Sequence, residues 1–223
     1  MSYEIELEPS DVEFLEKLKE TKNSVVFSLM VHGKICVMKV VSSLIISWVF
    51  TKQIKYHDRG PSEFDPPDRE VNLFISESTA YQRMKAKGLC DKGIIPDFYG
   101  TIRKIQPASW PTLYMFLNDE LPPNAILIEY VPNIQSIGLS TFSKKCLDRL
   151  REILDEIHEA KVLHGDPKPR NMMVSLGKQD RVLWIDFDSA QTFPEGILSS
   201  KQKMWIEEED EMMDYFAEAL VSF

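Results

Sequence analysis

Glycine is scarce in this chain, with nine in 223 residues, and Gly33 is the sole glycine before residue 60. Cysteine is scarcer still. Cys36, Cys90 and Cys146 are odd in number and far apart, so they form neither a disulfide framework nor a metal motif, and a reducing compartment is expected. Long apolar runs are missing too. The longest, 40–50, is broken by Ser42, Ser43 and Ser47 and falls short of the roughly 20 residues a membrane span needs. The acidic N-terminus lacks the apolar core of a signal peptide, so a cytoplasmic protein without membrane attachment is expected. Positive charge is in deficit, 26 Lys and Arg against 35 Asp and Glu, a net charge of −9. That balance speaks against gripping nucleic-acid phosphates. What remains is an ordinary composition, 43% hydrophobic, with enough chain for one domain or two small lobes.

The elements read in order as follows. Ser10-Asp11-Val12-Glu13 has the form of a capping box, with Phe14, Leu15 and Leu18 at helical spacing behind it, so a short helix is predicted to open the fold. Segments 24–31 and 34–41 are β-rich and meet at His32-Gly33, which predicts an antiparallel hairpin. Residues 51–69, with Gly60-Pro61 and Pro66-Pro67, read as a loop. A helix is predicted over 69–87 with Gly88 as its stop, and a strand over 125–131 ended by Pro132-Asn133. A second amphipathic helix is expected over 143–160, with Leu147, Leu150, Leu154 and Ile157 inward. A polar loop at 164–171, short strands at 172–175 and 182–185, and an acidic helix over 200–220 follow.

Chemistry is densest at His164-Gly165-Asp166-Pro167-Lys168-Pro169-Arg170-Asn171. Beyond it a strand ends in Asp186-Phe187-Asp188. Carboxylates beside an amide make a hard-oxygen ligand set that suits Mg²⁺, although Asp and Asn taken singly are common turn formers. Lys39 falls in phase with Ile35, Val37 and Val41, and Glu77 with Leu73, Ala80 and Tyr81. A charge on an apolar face is expensive unless paired, so these two are expected to pair with each other.

Five elements in order resemble the protein-kinase-like fold. They are Val37-Met38-Lys39, Glu77 on its helix, Ile128-Glu129-Tyr130-Val131, the loop His164 to Asn171, and Asp186-Phe187-Asp188. The wording around 94–100 and 185–193 is similar to small fungal kinase-like proteins. His-Gly-Asp with Asp-Phe-Asp also resembles the aminoglycoside and choline phosphotransferase branch. The resemblance implies an α+β fold of two lobes, a β-rich N-lobe to about residue 130 and an abbreviated helical C-lobe after it. It further implies ATP and Mg²⁺ as cofactors and a protein as substrate or partner. By it, Asp166 would orient or deprotonate an acceptor hydroxyl, and Lys168 would neutralise the transferring phosphoryl group. Asn171 and Asp186 would hold Mg²⁺. Lys39, steadied by Glu77, would bind the α/β-phosphates, while backbone groups at Glu129 and Val131 would meet adenine with Ile128 behind it.

The chain departs from that pattern in three ways. No glycine-rich phosphate loop precedes Lys39, and Lys22-Asn23-Ser24 stand where backbone N–H groups should cradle phosphate. Asp188 replaces the glycine of Asp-Phe-Gly. The stretch after Asp188 is too short for an activation segment and a full helical substrate platform. A phosphotransferase acting on a protein hydroxyl is therefore the leading expectation, with a small-molecule kinase and a catalytically silent binding module as rivals. Among smaller features, the apolar residues of 41–54 need a core or a partner surface. Glu207 to Glu211 reads as a solvated acidic face, and Met212, Met213, Tyr215 and Phe216 as core packing. His32, His57 and His158 are expected in turn or surface roles, and His164 as a brace for its loop.

Overall fold

The computed structural model describes residues 3–43, 69–176 and 181–221. Residues 51–68 of the loop predicted at 51–69, most of the apolar stretch 41–54, and His57 lie outside them. The chain is α+β and divides into two compact units, Met1–Ser78 with Phe98–Tyr130, and Thr79–Asp97 with Val131–Phe223. Among the described residues, no helix is long and apolar enough to cross a membrane.

The first unit is built on a five-stranded antiparallel sheet. Its strands are β1 (Val12–Glu20), β2 (Ser24–Val31), β3 (Lys34–Val41), β4 (Phe98–Ile102) and β5 (Asn124–Glu129), in the spatial order β1-β2-β3-β5-β4. The hairpin predicted at His32-Gly33 forms, because both residues take positive φ (48° and 81°) in the manner of a type I′ turn. Alternation then sorts the faces. Val25, Phe27 and Leu29 on β2, Cys36, Met38 and Val40 on β3, and Ala125 and Leu127 on β5 share one core with Trp110, Leu113 and Phe116. Lys39 points to the other face, in register with Val26 and Ile126.

The opening helix is not there. The turn Pro9–Asp11 is a single 3₁₀ turn in which Asp11 accepts from the Glu8 N–H at 2.8 Å, and the chain continues as β1. Period-two burial of Val12 and Phe14, with Phe14 edge-on to Phe27 at 5.0 Å, outweighs the local capping signal. Leu15 and Leu18 are left exposed. The two edges of the sheet differ. β4 is covered by the N-terminal segment, through Thr101 N–H to the Tyr3 carbonyl (2.8 Å) and Ile5 N–H to the Thr101 carbonyl (2.9 Å). Gly100 permits this approach, since a Cβ there would lie 2.6 Å from Tyr3 O. β1 is an edge whose register shifts twice, after Phe14 and after Lys17.

Helix α1 (Leu73–Ala86) begins later than the periodicity predicts, at Asn72, whose Oδ1 accepts from Ile75 N–H at 3.1 Å. It stops at Gly88 (φ 80°) as expected. The boundary between the units falls within it, after Ser78.

The second unit centres on helix α2 (Lys144–Glu159), capped by Ser143 Oγ. Its Leu147, Leu150, Ile153, Leu154 and Ile157 are all buried. Further strands are β6 (Ile134–Ser136), β7 (Val162–Leu163), β8 (Met172–Ser175), β9 (Arg181–Trp184) and β10 (Gln191–Thr192). They form one sheet ordered β6-β8-β9 and a pair β10-β7. Trp184 is fully buried with its indole N–H on the Leu150 carbonyl (2.9 Å). Helix α3 (Ser200–Val221) closes the chain. Met213 is buried there as predicted, whereas Met212 and Tyr215 are exposed, so only part of that aromatic and Met cluster packs.

Candidate functional site

In the first unit, Lys39 Nζ lies 2.8 Å from Glu77 Oε2, with side-chain exposures of 9% and 2%. The strand holds the ammonium and the helix holds the carboxylate, so the expected pair forms in a dry setting. Ile128 and Glu129 sit on β5, in register with Val37 and Cys36, and both are half-buried. The connection between β1 and β2 is closed by one side chain. Thr21 Oγ1 accepts from the N–H groups of Asn23 (3.3 Å) and Ser24 (3.0 Å), while its own N–H reaches the Ser24 carbonyl (2.8 Å). Two backbone donors of that turn are thus already taken, and Asn23 and Ser24 are buried.

The second unit holds Val131, Asp166, Lys168, Asn171 and Asp186. Val131 is buried against Met173 and Leu183. Asn171, 2% exposed, donates Nδ2 to the backbone carbonyl and to Oδ2 of Asp166, both at 2.9 Å, which turns its Oδ1 away from that carboxylate. Asp186 follows β9 in a left-handed conformation (φ 66°), a strain of about 1 kcal/mol for a residue with a Cβ. The Ile185 N–H donates to the Asn171 carbonyl at 3.1 Å, so the strand end carrying Asp186 is tied to the loop at Asn171.

Asp166 meets two cations, Lys168 Nζ at 2.7 Å and Arg170 Nη2 at 2.5 Å. Burial pushes its carboxyl up, but the hydrogen bonds and charges of Lys168 and Arg170 outweigh this and hold it below the usual carboxylate range. His164 braces the loop as expected. It is fully buried, its Nε2 donates to the Ile185 carbonyl (3.0 Å), and its Nδ1 accepts from Asp166 N–H (3.3 Å). Its ring packs against Phe187 and Trp184. Gly165 is required between them. At φ 81°, any Cβ would lie 2.2 Å from the Ser189 carbonyl oxygen.

Glu209 of α3 corrects the reading of its acidic run as a solvated face. It is 4% exposed. Oε2 accepts from the His164 N–H (2.9 Å) and from His158 Nε2 (2.8 Å), and Oε1 accepts from the Gly165 N–H (2.6 Å). A helix carboxylate therefore holds the backbone just before Asp166. His158 is likewise no surface residue but 8% exposed on α2. A signal for Glu209 was present in its spacing. It lies four residues after Trp205, which stacks on Phe193, and four before buried Met213. Arg170, which the sequence left without a role, is the second cation on Asp166. No protein-family model matches the chain, and no curated protein matches it.

Proposed function

We propose that this protein is a kinase-like phosphotransferase that takes a magnesium nucleotide as donor and a hydroxyl as acceptor, a protein side chain in the first instance. The observation that carries the reading is the bond from Ile185 N–H to the Asn171 carbonyl. It ties the strand end bearing Asp186 to the amide that fixes Asp166, so three oxygen-bearing side chains belong to one connected piece of backbone. Asn171 Oδ1 and the Asp186 carboxylate are hard donors of the kind Mg²⁺ accepts, one or two protein groups being the usual number when phosphates and waters complete the shell. The sheet order β1-β2-β3-β5-β4 and the buried Lys39–Glu77 pair support the same reading.

On this reading Asn171 and Asp186 hold the ion, and Lys39 binds the α/β-phosphates. Bound Mg²⁺ supplies charge neutralisation at the phosphates. Asp166, held below the ordinary carboxylate range by Lys168 and Arg170, would orient or deprotonate the acceptor hydroxyl. Lys168 supplies a mobile positive charge next to the reacting oxygen.

A second reading, a nucleotide-poor binding module, is favoured by one observation. Thr21 already satisfies the two turn N–H groups that a phosphate would need. Titration calorimetry with ATP separates the two. Weak binding that requires Mg²⁺ and disappears in Asp186→Asn supports the phosphotransferase. Tight binding that persists in EDTA overturns the metal assignment, and no binding in either buffer favours the module. Where transfer is measured, Asp166→Asn should lower the rate about 10²- to 10⁴-fold with nucleotide affinity unchanged.

A further inference from the structure

The charged groups behind the loop form a second cluster. Asp155 and His158 lie three residues apart on one face of α2, and Asp210 stands on α3. One ligand atom from each lies within 4.8 Å of the others. His158 is more than nine-tenths buried, and its two nitrogens are treated differently. Nε2 bonds Glu209 Oε2 at 2.8 Å. Nδ1 has no hydrogen-bond partner, and neither does Asp210 Oδ1, although both atoms are shut off from solvent. They are 3.5 Å apart.

That separation is informative. It is longer than a good N–H···O bond, which runs about 2.7–3.2 Å. It is close to the distance of about 3.3–3.4 Å that separates two ligands each about 2.0–2.1 Å from a tetrahedral zinc ion. Charge favours a cation as well. Glu209, Asp210 and Asp155 surround a single imidazole, and Arg151 is bonded to Asp214.

We propose that Asp155, His158 and Asp210 bind a divalent transition-metal ion, zinc foremost, through His158 Nδ1 and one oxygen of each aspartate. The mixed imidazole and carboxylate set suits zinc or manganese better than magnesium or calcium, which prefer oxygen throughout. Glu209 completes the arrangement. A ligating histidine almost always donates its other nitrogen to a carboxylate or carbonyl, and this outer partner fixes the tautomer that leaves Nδ1 as the ligand. Because the same Glu209 carboxylate holds the N–H groups of His164 and Gly165, the ion would be linked through His158 and Glu209 to the loop that carries Asp166. The site does not depend on the phosphotransferase reading.

The experiment is calorimetric titration of the chelator-stripped full chain with Zn²⁺. Excess Mg²⁺ keeps hard-oxygen ligands such as Asn171 and Asp186 occupied, and a Cys146→Ser background removes the part-exposed thiol. One equivalent of zinc should bind and raise the thermal midpoint, and EDTA should reverse the rise. Asp155→Asn, at an exposed position that folding does not need, should weaken binding about tenfold or more. Asp155→Asn with Asp210→Asn should abolish it. Absence of saturable binding overturns the site, leaving His158 as a bridge between Glu209 and Asp210. Binding of undiminished affinity in Asp155→Asn overturns it equally, because the ion would then sit elsewhere.

Discussion

Glu77 and Glu209 are both helix carboxylates at 2% and 4% exposure, yet they are neutralised in different ways. Glu77 faces the ammonium of a lysine on a neighbouring strand. Glu209 faces two backbone N–H groups and an imidazole. An ammonium on a four-carbon stem can turn toward another anion, whereas a peptide N–H cannot leave its chain. The first pair is therefore suited to sharing its cation with a ligand, and the second to fixing a loop. Burial alone does not tell these roles apart; the mobility of the partner does.

The most severe test of that contrast is Glu209→Leu. It strands the His164 and Gly165 N–H groups and one imidazole nitrogen in the interior. At about 1–3 kcal/mol for each unsatisfied donor, a loss of about 4 kcal/mol is expected. With about 2–4 °C per kcal/mol for a chain of this size, the thermal midpoint should fall by about 10 °C or more. A loss below about 1 kcal/mol would mean that water replaces the carboxylate and that Glu209 is no anchor.

Lys39→Met comes next. It leaves Glu77 buried without its cation, which costs about 3 kcal/mol by the usual scale for broken buried pairs. Glu77→Gln should cost less, about 1 kcal/mol, because an amide oxygen beside the ammonium can accept a hydrogen bond from it. Urea denaturation of both variants checks the order. Equal losses would show that the charge on Glu77, and not the bond, stabilises this face. On the phosphotransferase reading Lys39→Met should also weaken ATP binding clearly, and Glu77→Gln weaken it less.

The smallest effect is expected at Arg170→Ala, since the guanidinium is mostly exposed and such pairs contribute about 0–1 kcal/mol. Its signature is pH dependence. Asp166 has a depressed folded pKa, so its pairing stabilises the fold above the ordinary carboxylate range. That contribution is lost as pH falls through the depressed value. The gap between parent and Arg170→Ala should therefore be full near neutrality and close in acid. A gap that widens on acidification would contradict the Arg170–Asp166 bond.

Much of this is legible in the sequence alone. The His32-Gly33 hairpin, the leucine stripe of α2, and the pairing of Lys39 with Glu77 all follow from signals carried within a few residues or by one buried charge seeking another. The misreadings share a cause. At 10–13 the capping pattern is local, whereas the strand that claims 12–20 is specified by partners on β2 and by Trp110. In the acidic run, one residue in five is buried, and which one depends on how α3 docks against α2. The expectation of a turn or surface role for His158 fails for the same reason, since its carboxylate lies 51 residues away. Long-range packing decided each of these, and a window of sequence cannot carry it.

The unequal edges of the five-stranded sheet bear on how the protein behaves when concentrated. An open edge is a template on which a second chain can add a strand, the first step toward edge-to-edge aggregation. At β4 the segment around Tyr3 and Ile5 already occupies that template, and Gly100 allows it to sit close. At β1 no strand among the described residues does so, and protection falls to Glu13, Glu16, Lys17, Lys19 and Glu20 together with the two register shifts that twist the edge out of line. Lys17 bonded to Glu20 keeps charge at the far end. The vulnerable edge is therefore β1, where exposed Leu15 and Leu18 stand between those charges. Salt, by screening them, should promote self-association there before any loss of fold.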